Sequence, residues 1–209
     1  MKINRCKKTR GILVACMLLV LTTVTCFAAT HYIVYNGIPT KENVKEQAGL
    51  SPKYVEEFQN GYSYLTGGID KDMDLSDGSN VLDIRYIKDD TIVHYHAVKA
   101  IKGETSLEDI NPHNGEIKED ISITSEIPGI CIESKAKIVP MDYEMTEQDK
   151  KDEKSSLYVF INKPVEEVNV VDSYSIMWED DGILYRLAEY DGMLDKSEMI
   201  DMAKEIVVK

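Results

Sequence analysis

The Asp181-Gly182 pair constrains this chain more than any other feature, because both central positions of a type I′ turn need positive φ and Asp-Gly supplies it at little steric cost. Two strands fold back on each other there. A two-residue loop sets Trp178 opposite Tyr185 and Ile176 opposite Leu187 on one side, with Met177 opposite Arg186 and Ser175 opposite Ala188 on the other. The first side is apolar and aromatic. Beyond Gly192, Asp195 and Glu198 have the spacing of a capping box, and Leu194 is placed to staple onto Met199. Met199, Ala203, Ile206 and Val207 then form one apolar stripe, so the helix is expected to cover the aromatic side of the hairpin.

The same logic applies upstream. With Asp89-Asp90 as the loop, Leu82, Ile84 and Tyr86 face Ala97, Tyr95 and Val93, while Asp83 faces His96 and Arg85 faces His94 on the polar side. Strand-like patterns also run through residues 61–69, 120–127, 129–139 and 155–162. Thr40 is placed to cap a short helix ending at Ala48 and Gly49, and Ser51 with Pro52 has the form of a second helix start. Thr146 and Asp149 mark another helical turn within one of three polar excursions, which cover residues 70–80, 102–116 and 145–156. The expectation is an α+β fold: an antiparallel meander of about six to eight strands, a packed C-terminal helix and short N-terminal helices.

The N-terminus is of another kind. Lys2, Arg5, Lys7, Lys8 and Arg10 precede an apolar run over residues 11–21, and small residues follow up to Ala28 and Ala29. That order is expected for a secretory signal cut after Ala28, or for a retained anchor; both put the remainder outside the cytoplasm. The division expected is residues 1–28 as signal peptide or membrane anchor, 29–60 as a short helical tether and 61–209 as one α+β domain. Contact with a membrane is expected only through the N-terminal segment. Thr23 and Thr25 fit a lipidation signal at Cys26 poorly.

Since those five basic residues fall in the leader, the remaining chain is more acidic than the formal charge of −13 suggests, and no basic patch offers itself to nucleic acid. Cys6, Cys16 and Cys26 lie in the leader, and Cys131 alone follows it, so no intrachain disulfide framework survives cleavage. His94-x-His96 with Asp83 across the hairpin offers candidate zinc ligands, although a solvated polar face explains the same residues. Asp70, Asp72 and Asp74 alternate like the first half of a calcium loop, but Leu75 and Val81 stand where that loop needs Gly and Glu. No nucleophile elbow, His-Glu-x-x-His, phosphate-binding Gly loop or dinucleotide fingerprint occurs. No cofactor is expected.

The run from Trp178 to Leu187, followed by residues 194–206, resembles the C-terminal part of a Gram-positive family of extracytoplasmic domains of unknown function, often attached to membrane-anchored anti-sigma-factor proteins. Residues 142–160 also look like a segment of exported clostridial-type proteins. The resemblance covers roughly the last third of the chain and implies a curved half sheet like that of lipoprotein carriers. Only ten residues precede the apolar run, too few for a cytoplasmic sigma-binding domain. The expectation is an exported, non-enzymatic sensory or binding domain of the cell envelope, meeting an envelope protein or a small apolar ligand. An alternative is a carrier of an apolar ligand in the concave face, where Ile176, Trp178, Tyr185, Leu187 and Met199 form either the core or the ligand wall. Another is a metal-dependent hydrolase using His94, His96 and Asp83.

Overall fold

The computed structural model describes residues 32–71 and 80–209; the leader and Asp72 and Asp74 lie outside the described residues. Strands β1 (Tyr32–Val34), β2 (Ser63–Asp70), β3 (Val81–Lys88), β4 (Thr91–Lys99), β5 (Ile117–Ser122), β6 (Pro128–Pro140), β7 (Val159–Lys163), β8 (Asn169–Asp180) and β9 (Ile183–Glu189) form one curved sheet. Helices α1 (Lys41–Ala48), α2 (Glu147–Lys154) and α3 (Lys196–Val207) complete the α+β fold. No described helix is long and apolar enough to cross a membrane.

Both hairpins take the expected registers: Trp178 pairs with Tyr185 and Ile176 with Leu187, as Ile84 pairs with Tyr95 and Asp83 with His96. Asp181 and Gly182 have φ of 51° and 72°, the left-handed region that the turn demands. Three of the four expected caps form, with Thr40, Thr146 and Asp195 accepting from the backbone N–H groups of Asn43, Asp149 and Glu198, while Ser51 starts no helix.

The sheet departs from a six-to-eight-strand meander. Among the described residues it has nine strands, in the order β1-β2-β3-β4-β9-β8-β6-β5, with β7 paired to β6 in parallel. The two hairpins meet because β4 pairs with β9, which brings Tyr95 opposite Leu187. The parallel pair has a simple cause. β6 is 13 residues long and β5 reaches only Glu133, so the edge beyond stays open until the chain returns through α2.

Residues 29–60 were expected to be a helical tether, with a second helix from Ser51. Instead α1, which buries Val44 and Ala48, is followed by a non-helical segment that packs into the same core through Leu50, Val55 and Phe58. The tyrosines of the sheet decide this. Tyr86 and Tyr95 donate to the carbonyls of Val55 and Lys53 at 2.8 Å each, and the Lys53 N–H donates to the Tyr185 hydroxyl at 3.2 Å. A buried phenol needs a polar partner, and an irregular buried backbone needs the same, so each satisfies the other. Lys53 Nζ then ties the segment to Asp180 at 2.8 Å and to the Val207 carbonyl at 3.1 Å.

Helix α3 lies against β8 and buries Met199, Met202, Ala203 and Ile206. Met202 joins the expected stripe, whereas Val207 is half-buried. Each large side chain of that stripe removed from water is worth about 1.5–3 kcal/mol.

Candidate functional site

The residues proposed as either core or ligand wall are brought together, and they are interior: Ile176, Trp178, Leu187 and Met199 are 0 % exposed and Tyr185 1 %. Trp178 stacks on Tyr185, and α3 with the 51–58 segment closes over them. Cys131 belongs to the same core, where burial pushes its thiol up to about 11, far from the thiolate that a nucleophile needs.

The opposite face is polar. Alternation along β3 and β4 turns Asp83, Arg85, His94 and His96 outward, and β9 adds Arg186 directly across from His96. His96 Nε2 lies 3.5 Å from Asp83 Oδ1, while Asp83 Oδ2 accepts from the Tyr32 hydroxyl at 3.1 Å and sits 4.0 Å from Arg85 Nη2. The ring centroids of His94 and His96 are 6.4 Å apart, and His94 turns edge-on to Tyr190 at 5.7 Å. Burial lowers the pKa of both imidazoles; for His96 it outweighs the opposing pull of Asp83, and Arg186 acts in the same direction as burial. No three His, Cys, Asp or Glu side chains among the described residues converge as metal ligands. Asp70 of the calcium-like pattern pairs with Tyr32 within the β1–β2 ladder.

The 100–116 segment folds back over part of this face. Ala100, Ile101, Leu107 and Ile110 pack on Val81, Val98 and Leu184, and the Glu179 carboxylate accepts the Leu107 N–H. Thr105 donates to the Lys99 carbonyl at 2.7 Å, and Asp109 Oδ2 accepts from the N–H groups of Gly103 and Ser106. Between this segment and the sheet lies a half-open cleft of about 430 Å³. Ile110, Ile132, Val159 and Met177 supply apolar walls, with Ser175, Arg186 and Tyr190 between them. Arg186 Nη2 donates to Ser175 Oγ at 3.0 Å and to the Tyr190 hydroxyl at 2.7 Å.

Sequence reasoning placed Met177, Arg186 and Ser175 together on one side of the hairpin and attached no role to them. The cleft also needs Ile110 and Val159, which stand far away in sequence, and no local pattern links these to Arg186. No family model, curated protein or solved structure matches this chain.

Proposed function

We propose that the chain is an exported, non-enzymatic sensory or binding domain of the Gram-positive cell envelope, and that it binds through the cleft between the 100–116 segment and the sheet. The basic, apolar, small-residue order of the first 29 residues supports export. One observation carries the choice of face: the aromatic side is filled by its own side chains, while the polar side holds a half-open cleft of about 430 Å³ with convergent polar groups. A carrier site between Trp178 and Met199 has less support, since both are 0 % exposed. The partner is an envelope protein or a small ligand; the acidic charge speaks against nucleic acid.

The test is topological. A C-terminally tagged full chain is produced in a Gram-positive host, and protease is added to intact protoplasts and to the medium fraction. Export predicts a tag that is degraded on protoplasts or recovered from the medium. A tag protected until the cells are lysed would contradict the reading.

A further inference from the structure

Arg186 is unusual among the partly buried cations of this protein. Lys53 meets Asp180 at 2.8 Å, Lys163 meets Asp191 at 2.7 Å, and Lys137 pairs with Asp149. Arg186 instead gives Nη2 to two neutral hydroxyls, and its Nε is buried without a hydrogen-bond partner. With 37 acidic residues in the chain, carboxylates are not scarce. Those lining the cleft are turned to other donors: Asp109 Oδ2 accepts from Gly103, Ser106 N–H and Ser106 Oγ, and Glu116 Oε2 accepts from the His113 N–H at 2.6 Å. A guanidinium withdrawn from water is best compensated by a carboxylate, whose two oxygens can take two parallel N–H donors and whose charge offsets its own, whereas a hydroxyl supplies one acceptor and no charge.

We propose that the cleft binds a small organic carboxylate with an apolar body, the carboxylate pairing with Arg186 and the body lying against Ile110, Ile132, Val159 and Met177. This rests on the reading of the chain as a binding domain. Among the described residues, Arg186 is the one guanidinium or ammonium lining the cleft, which suits a monoanion; a phosphate dianion calls for more positive charge than one side chain provides. With Asp109 and Glu116 of the lining accepting from Gly103, Ser106 and His113, four apolar walls and the Arg186 guanidinium are left to meet a molecule with a single charged end. Ser175 and Tyr190 position the guanidinium, and their hydroxyls are at hand for the carboxylate once it arrives.

The probe is sodium octanoate, compared with methyl octanoate, octan-1-ol and octylamine, which share an alkyl body but lack the negative charge. Each is titrated into the isotopically labelled chain, and the backbone amide shifts of Ile110, Met177 and Arg186 are followed. Octanoate is expected to saturate these shifts at a concentration about tenfold below any of the other three, as a charge-assisted hydrogen-bonded pair implies. Arg186→Met is expected to erase that preference while keeping the weaker shifts caused by octan-1-ol, which also reports that the cleft is intact. Equal or tighter binding of the ester, alcohol or amine to the unmodified chain would overturn the carboxylate assignment and leave the cleft as a binding site. No shift at these amides with any of the four would overturn both readings.

Discussion

Trp178 and Tyr185 stand directly opposite each other across the β8–β9 hairpin and stack, with ring centroids 5.1 Å apart and planes 6° from parallel. The pair forms the floor on which α3 and the 51–58 segment close, so the aromatic side of the sheet is a packed interior. Trp178→Ala is expected to lower the unfolding free energy by about 3–5 kcal/mol, measured by urea denaturation. Trp178→Phe should lower it markedly less, because the indole Nε1 is buried without a partner and its removal breaks no hydrogen bond.

The tyrosine hydroxyls that hold the non-helical segment make a second prediction. Tyr86→Phe and Tyr95→Phe each leave a carbonyl of residues 53–55 without its donor, and each is expected to cost about 1–3 kcal/mol by the same measurement. Protease susceptibility within residues 51–60 should rise in both variants. Unchanged stability would mean that the segment is held by its apolar side chains alone.

The histidines of the polar face give a dependence on pH. Burial holds His94 and His96 below the ordinary histidine value of 6.5, so as pH falls through 6.5 the unfolded chain takes up protons that the folded chain does not. Stability is therefore lost as pH drops below about 6.5 toward the folded values, and it is fully present above that window. Burial raises the Glu189 carboxyl and works in the opposite sense at acid pH, so the comparison is between the parent and His96→Asn. The variant is expected to show a smaller loss of urea midpoint between pH 7.5 and pH 5; an equal loss would remove His96 from the account.

Two glycines separate turn strain from packing. Gly182 has φ of 72° with open space where a Cβ would stand, so Gly182→Ala should cost only the left-handed strain of about 1–2 kcal/mol. Gly192 has φ of 69°, and a Cβ there would come within 2.6 Å of the Val171 Cβ. Gly192→Ala is expected to be the more destabilising of the two in thermal melts, since strain and collision add.

The parts legible in the sequence were those carried by local chemistry. Asp181-Gly182, the alternation around it and the Asp195–Glu198 box act over neighbouring residues, and both hairpin registers and three of the four expected caps follow from such signals. The pairing of β4 with β9 joins Tyr95 to Leu187 across a long stretch of intervening chain, and nothing local to either residue announces it. Ser51-Pro52 carries a helix-start pattern that was overridden by hydroxyls on Tyr86, Tyr95 and Tyr185, all distant in sequence. The candidate site was obscured for the same reason: Arg186 reads as one polar residue of a hairpin until Ile110 and Val159 are brought beside it.

Helix α3 seals the aromatic side of the sheet, which leaves the opposite cleft as the proposed binding place. Ending the chain after Gly192 removes Met199, Met202, Ala203 and Ile206 from contact with Trp178 and its neighbours. Losing several buried side chains at about 1.5–3 kcal/mol each exceeds the stability margin of a typical small domain. Circular dichroism of the truncated chain is expected to show no cooperative thermal unfolding. A truncated chain that melts cooperatively with the ellipticity of the intact sheet would contradict that seal and return the aromatic face to consideration as a ligand site.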